Sequence, residues 1–517
     1  MTLTVQSKYL VFPVNTEKEQ VTLTLSENGS SLCSLRIRMD TTAPNFFAYV
    51  NVERFLGKTL TLALTQNAPI SYREADTLEY EKNFDEPNRP QVHFTVKNGW
   101  LNDPNGLVRI GDTYHLFYQF TPTAPMAESM HWGHATSQDL LHWQEDDPLL
   151  FPDETGDKWS GSAIIDENNL SGLGNDTEPP VLLYYTSTAP FAQHVAYSTD
   201  ALKTVRKYGS TPVVPHIMRQ NRDPKVVFCE ERGDYLMAIH LVTTRFLLLC
   251  SKDLLHWEPL QELFVEDEGE CPDLFPLCDQ HGTRRWIFIG ARSRYLVGNM
   301  TTNGFAPLQE AQSLYFGGVV QAGQTFSGLA NGRVVRMDWD RWEIDASSFA
   351  GQMSIPYDLS LREQDGKYWL CATPIKELKA IFEKEICEKD LRLTADSPFS
   401  VTLEPKPYHL TLKVDEFSDI CLSLTVFGCT LTLDGISNTV TLGKMQAPLR
   451  TSGSALDLCL VLDRCSIECF LDGGAIYLGG VTPDTVSDYT QSTFHLLSEA
   501  PCQIDVLTFH PLHSIWQ

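Results

Sequence analysis

The chain reads as an all-β protein: a β-propeller at its centre, a small β-domain ahead of it and a β-sandwich behind. Three observations predict this. Almost every segment is a run of four to eight alternating or apolar residues, such as 113–120, 181–186, 235–242 and 286–290, bounded by Gly, Pro, Asn and Asp clusters. A local signature recurs, first as Ser137-Gln138-Asp139-Leu140-Leu141-His142-Trp143, then as the weaker Ser198-Thr199-Asp200, then as Ser251-Lys252-Asp253-Leu254-Leu255-His256-Trp257. Its steps of 61 and 53 residues suit four-stranded units that cannot bury their faces alone. Finally, the repeat is missing from both flanks.

The elements follow in order. Residues 1–82 alternate without the repeat (9–14, 21–25, 60–64), fit a small N-terminal β-domain, and end in the charged, proline-bearing linker Glu79 to Pro90. Residues 83–350 carry the repeat and form the expected propeller. Residues 351–390 read as a linker holding the best helical pattern of the chain, Ile375 to Glu388, where Leu378, Ile381 and Ile386 alternate with Lys and Glu. Strand-like runs at 409–414, 420–426, 456–462 and 466–471 make residues 391–517 the expected β-sandwich.

Composition excludes several function classes. With 517 residues and 42% hydrophobic content, the chain exceeds what one core absorbs. A formal charge of −26 argues against nucleic acid or an anionic membrane as partner. The longest apolar stretches, such as Phe246 to Cys250, fall far short of the roughly 20 residues that cross a bilayer. Met1 to Tyr9 has no apolar stretch or cleavage site of a secretory signal, so the expected address is the cytoplasm. Thirteen scattered cysteines, an odd number without metal-like pairs, are expected as reduced thiols, and the sequons at Asn28, Asn169, Asn175 and Asn299 are set aside with them. No cofactor and no metal is expected. Both flanking domains offer surfaces for a homodimer.

Three acids stand in turn-forming, proline-fixed settings: Asp103 in Trp100-Leu101-Asn102-Asp103-Pro104-Asn105-Gly106, Asp223 in Arg222-Asp223-Pro224, and Glu270 in Glu270-Cys271-Pro272-Asp273. Separations of 120 and 47 residues mean that only the fold can unite them. A propeller channel gathers the first strands of several blades, and carboxyls held in different environments are the tools of glycosidic bond cleavage. Each acid alone reads more simply as a turn or capping residue.

Taken together, these stretches resemble glycoside hydrolase family 32, the β-fructosidases that include invertases, inulinases and levanases. The boxes occur in the family's order: Trp100 to Gly106, Gln119-Phe120-Thr121-Pro122, His131-Trp132-Gly133-His134-Ala135, Trp159-Ser160-Gly161-Ser162, Arg222 to Val226, and Glu270 to Phe275. The stretch 460–471 is similar to the family's C-terminal sandwich, and the first 80 residues resemble an accessory domain seen ahead of some bacterial fructan hydrolases. The resemblance implies a five-bladed propeller and a retaining enzyme that releases terminal fructose from sucrose or short fructans. It also implies roles: Asp103 as nucleophile, Glu270 as general acid/base with a raised pKa, and Asp223 as transition-state stabiliser. The substrate is then a small carbohydrate, with Asn102, Gln119, Trp132, Trp159, Ser162, Arg222 and Trp339 as its binding residues. A retaining pair requires carboxyls about 5–5.5 Å apart.

The sequence also departs from the family pattern. Ala127 stands where many members have a Trp, and the family's Asp-Phe-Tyr-Ala-Ala-Gln box appears as Val319-Val320-Gln321-Ala322-Gly323-Gln324. The box around Trp339 is altered as well. In the family the Trp replaced by Ala127 forms one wall of the sugar pocket and the two later boxes lie on the leaving-group side; the altered Val319 to Gln324 box keeps open a fructosyltransferase or difructose-anhydride-forming enzyme. A carbohydrate-binding protein without turnover is the reading from outside enzymology.

Overall fold

A computed structural model describes residues 1–65, 70–78, 84, 86–175, 178–342, 344, 348–450 and 455–516. The described chain is built almost entirely of strands, with three short 3-10 turns among them. The expected linker Glu79 to Pro90 lies partly outside the described residues, which include only Phe84 and 86–90 of it.

Residues Thr2 to Ala75 form two small antiparallel sheets, one of four strands and one of three. Their alternating pattern turns Leu3, Phe12, Leu23, Leu35, Ile37 and Val50 into one shared core. The strand Ser30–Ile37 lies at an edge of the four-stranded sheet, with Cys33, Leu35 and Ile37 inward. Its alternate residues Ser34 and Arg36 are half-buried.

Five antiparallel sheets follow in chain order. Sheet I holds Gly99–Ile110, Thr113–Thr121, His131–Ser137 and Gln144–Leu150; sheet II holds Lys158–Ile165, Val181–Thr188, Phe191–Ser198 and Arg206–Lys207. Sheet III runs from Arg222–Cys229 to Glu258–Phe264, and sheet IV from Asp273–Cys278 to Gly304–Pro307. Sheet V contains Val320–Thr325, Val335–Asp340, Tyr357–Gln364 and Lys367–Pro374. The first strands touch in succession, I to II, II to III, III to IV, IV to V and V back to I. Phe349–Ala350 pairs in parallel with Gly99 and Trp100, tying the end of the set to its beginning.

The recurring signature is a hydrogen-bonded turn between the third and fourth strands of sheets I to III. In sheet I, Leu140 N–H donates to Ser137 Oγ at 2.9 Å, His142 Nδ1 lies 2.7 Å from Asp139 Oδ2, and Trp143 Nε1 donates to Leu140 O at 3.1 Å. Ser251, Asp253, His256 and Trp257 repeat the arrangement in sheet III.

Two six-stranded sheets complete the chain, from Ile386–Leu393 to Cys502–Pro511, and they share a core that includes Leu410, Leu412, Leu424, Leu433, Leu496 and Phe509. The boundary at residue 350 needs correction: strands Tyr357–Gln364 and Lys367–Pro374 belong to sheet V, so the stretch 351–390 is no linker. The expected helix is also reduced, to a 3-10 turn at Lys376–Ile381. Ile386–Leu393 instead pairs along the edge of Cys502–Pro511, where an open ladder of backbone groups outweighs a weak helical period.

A buried charge cluster joins the five sheets to the C-terminal pair. Asp463 accepts from Gln91 N–H at 2.8 Å, from Val92 N–H at 2.9 Å and from His93 Nδ1 at 2.8 Å, while Glu468 lies 3.7 Å from His93 Nε2. Burial alone disfavours the charged imidazole, but the hydrogen bond to Asp463 and the nearby charges of Glu468 and Asp463 outweigh it and push its pKa up to about 10. The resulting stability is fully present below the ordinary histidine pKa and is lost as pH rises toward 10. His93→Gln is expected to cost about 3–5 kcal/mol at pH 6 in chemical denaturation. The gap to the unsubstituted protein should narrow as pH rises from 7 to 10.

Candidate functional site

The first strands of sheets I to III and the segment entering sheet IV each break their regular ladder where they meet. In sheet I the register shifts between Leu101 and Pro104, and in sheet III between Arg222 and Lys225. Proline has no N–H for a ladder, so Pro104 and Pro224 favour bulges that re-aim the preceding acids. Asp223 has φ of 62°, and Glu270 and Cys271, just ahead of the first strand of sheet IV, have φ of 64° and 35°. Such left-handed backbone at non-glycine residues is strained and persists only where the surroundings hold it.

These irregularities bring the three acids into one cleft. Asn102 Nδ2 donates to Asp103 Oδ1 at 3.0 Å and is itself oriented by Trp100 Nε1, which donates to Asn102 Oδ1 at 2.8 Å. Ser160 Oγ donates to Asp103 Oδ2 at 2.7 Å. The Cys271 thiol lies 3.4 Å from Asp103 Oδ2 and 3.6 Å from Asp223 Oδ2, and Cys271 N–H donates to Asp223 Oδ2 at 3.0 Å. Behind Asp223, its own N–H donates to Thr186 Oγ1 at 3.0 Å, and Thr186 in turn donates to Gln193 Oε1 at 2.8 Å. Arg222 completes the set, with Nη2 2.7 Å from Glu270 Oε1 and Nε 3.5 Å from Asp223 Oδ2. Its guanidinium also sits 5.9 Å from the centre of the half-buried Trp159 ring.

The electrostatics follow from burial. Asp103 is raised above the ordinary carboxylate range, first by burial and then by the charge of Glu270, against the opposing hydrogen bonds from Ser160 and Asn102. Asp223 is pushed up to about 7 by burial and by the charges of Asp103 and Glu270, which Arg222 opposes. Burial among these carboxylates also raises the Cys271 thiol. Glu270 differs from its neighbours in exposure: its side chain is 58% exposed and bound to Arg222, rather than buried as that of Asp223 is. Beside it opens a cavity of about 760 Å³ lined by Arg219, Arg222, His240, Glu270, Arg292 and Gln321.

Not every expected sugar contact reaches this cleft. Ser162 is buried; its hydroxyl donates to Pro224 O at 2.8 Å and accepts from Val226 N–H at 3.0 Å, which spends it on joining sheets II and III. Trp132 has no exposed surface, donates Nε1 to Trp159 O at 3.1 Å and packs on Phe117 and Tyr185. The glycine of the first box belongs to that packing, since a Cβ at Gly106 would lie 3.0 Å from the Trp132 ring. Gln119 is equally buried and donates to Lys158 O at 3.0 Å. Trp339 packs edge-on against Trp100 with ring centres 5.8 Å apart. Sequence reasoning missed Ser160 and Cys271 as direct neighbours of the acids, although both lie inside the quoted boxes. A register shift between Trp159 and Gly161 interrupts the regular ladder beside Ser160, whereas Ser162 is expected only from the resemblance. Among the described residues, no group of three or more His, Cys, Asp or Glu is placed to hold a metal ion.

The altered box is a structural element. Gln324 Nε2 donates to Gly161 O at 2.9 Å, and a Cβ at Gly323 would collide with Asp338 Oδ1 at 1.7 Å. Only Gln321 of that box lines the cavity beside Glu270.

Known proteins resemble this chain in sequence and in fold. The family model described as Glycosyl hydrolases family 32 N-terminal domain matches residues 93–374, which ends with the last strand of sheet V. A levanase of Bacillus subtilis (strain 168) is 29% identical over 84% of this chain and 72% of its own length. An invertase of Schizosaccharomyces pombe is 31% identical over 53% of each chain. Among solved structures, an exo-inulinase from Aspergillus awamori superposes with a TM-score of 0.75 at 22% identity, covering 84% of this chain and 100% of that one.

Because the folded state raises Asp223, it holds a proton between about pH 4 and 7 that the unfolded chain has released, and stability falls as pH rises through that window. Asp223→Asn keeps an acceptor for Cys271 N–H and removes the titration. The variant is expected to match the parent near pH 4 and to exceed it by on the order of 2–4 kcal/mol at pH 8, read from denaturation midpoints.

Proposed function

Because this chain belongs to glycoside hydrolase family 32, we propose that it releases terminal β-D-fructofuranosyl units from sucrose or short fructans with retention of configuration. One observation carries the reading: Asp103, Asp223 and Glu270, far apart in sequence, meet around Cys271 and Arg222. In the first step Asp103 attacks the anomeric carbon, the glycosidic C–O bond breaks, and Glu270 gives its proton to the departing oxygen. In the second, Glu270 takes a proton from water as that water displaces Asp103 and frees fructose. Ser160 and Asn102 hold the Asp103 carboxyl for in-line attack. Asp223, partly protonated near neutrality, can both donate to and accept from vicinal sugar hydroxyls while lowering its repulsion with Asp103. Trp159 forms an aromatic wall, and the cavity beside Glu270 receives the leaving group.

The same reading extends to architecture and location. Sheets I to V are the blades of a five-bladed β-propeller, the last two sheets a C-terminal β-sandwich, and residues 1–82 a separate N-terminal domain. Thirteen free cysteines support a reducing compartment, the cytoplasm, and hence substrates small enough to be imported.

A chromatographic time course on sucrose, an inulin-type trisaccharide and a levan-type disaccharide tests this. Free fructose and the shortened sugar are expected, and difructose anhydrides or longer oligomers would overturn hydrolysis. Glu270→Gln should lower kcat by about 10²–10⁴ with KM little changed, because an amide keeps hydrogen bonds but supplies no proton. Asp103→Asn should lower it further. Near-full activity of either variant on an unactivated sugar refutes its assigned role.

A further inference from the structure

The catalytic reading leaves the N-terminal sheets without a task, yet they hold the loop after Thr121 and the start of the strand that carries Ser160. The strand Ser30–Ile37 turns Arg36, on its non-core face, toward the loop after the second strand of sheet I and the segment entering sheet II. Arg36 N–H donates to Ser129 Oγ at 2.7 Å, and the Arg36 guanidinium bonds both the Glu128 carbonyl and the Asp157 carboxylate. Just beyond, Arg38 Nε lies 2.8 Å from Glu128 Oε1, a carboxylate whose side chain is only 1% exposed.

Glu128 organises the loop that follows the second strand of sheet I. Its N–H donates to Thr121 Oγ1 at 3.1 Å, and Thr123 Oγ1 donates to its Oε2 at 3.0 Å. Lys158 N–H, next to Asp157, then donates to Met130 O at 3.0 Å, so loop and strand are fastened together. That strand continues through Trp159 to Ser160, whose hydroxyl holds Asp103. Two arginines outside the five sheets therefore clamp both the loop containing Ala127 and the strand that orients the attacking acid.

We propose that Arg36 and Arg38 are positioning residues for the fructose-releasing reaction, making the N-terminal domain a fixed part of the sugar pocket's frame. The inference rests on the fructose-release reading above. It needs no contact between arginine and sugar. A misplacement of the loop or of Ser160 by a fraction of an ångström is enough to weaken binding and attack.

The test compares KM, kcat and melting temperature on sucrose for the intact chain, Arg36→Gln, Arg36→Lys and Lys8→Gln. Lys8 is the control, because it pairs with Asp147 on the outer strand of sheet I, another contact of the same domain. Arg36→Gln is expected to raise KM about five- to twentyfold. Arg36→Lys, which can keep the Asp157 ion pair, should recover part of that loss. Lys8→Gln should lower the melting temperature without moving KM. Should Arg36→Gln fail to fold, Asp157→Asn breaks the same ion pair from the other side and must show the same rise in KM. An intact chain that releases fructose with KM unchanged in the Arg36 and Asp157 variants overturns the positioning role alone. An intact chain that releases none overturns the underlying reading, and this inference with it.

Discussion

Two buried acids facing each other across one thiol set the terms for the rest of this molecule. Asp103 and Asp223 both lie against Cys271 Sγ, and each is raised by burial and by the charge of neighbouring acids. Such a group is costly to hold together unless donors and a cation compensate it. Ser160, Asn102 and the Cys271 N–H supply the donors, and Arg222 supplies the cation. The positive φ values at Asp223, Glu270 and Cys271 are the backbone side of the same constraint, since regular strands would not deliver these groups to one point.

A ring of first strands can sustain this strain because it has little freedom to open. Each first strand touches the next, and Phe349–Ala350 closes the set against Gly99 and Trp100. The closure demands glycine: Gly99 has φ of 98°, and a Cβ there would sit 2.3 Å from Thr121 O. Below the acids, Lys225 Nζ lies 3.0 Å from Asp273 Oδ1, and Arg336 reaches both Asp273 and Asp338, so buried charges on sheets III, IV and V are paired across the strands they fasten.

Much of this was legible in the sequence because it rests on local chemistry. The Ser-x-Asp-Leu-Leu-His-Trp turns close on their own side chains, so their recurrence reported equivalent places in successive sheets. The three acids were visible because proline follows Asp103 and Asp223 directly and Glu270 after one residue. What the sequence hid depends on register and on partners far along the chain. One bulge at Trp159 to Gly161 decides that Ser160, and not Ser162, faces Asp103. Residues 357–374 look like connecting chain until sheet V offers them a ladder, and the end of the helical pattern of Ile375 to Glu388 becomes strand where Cys502–Pro511 does the same. Trp132 carries the composition of a sugar platform but sits a layer too deep, a distinction that only burial reveals.

The altered box from Val319 to Gln324 shows how the family's chemistry tolerates such change. Its backbone must pass close to Asp338, which leaves room only for glycine at position 323, and its Gln324 must reach Gly161 O beside Ser160. Those two demands are structural and both are met. Val320 is almost wholly buried and no longer addresses the cleft, whereas Gln321 lines the cavity next to Glu270. The box therefore holds sheet V against sheet II beside Ser160, which bonds Asp103, and Gln321 is its one side chain that lines the cavity. Within one segment, Gly323 and Gln324 are held by packing, while Gln321 faces the open cavity and is the position packing leaves free to change.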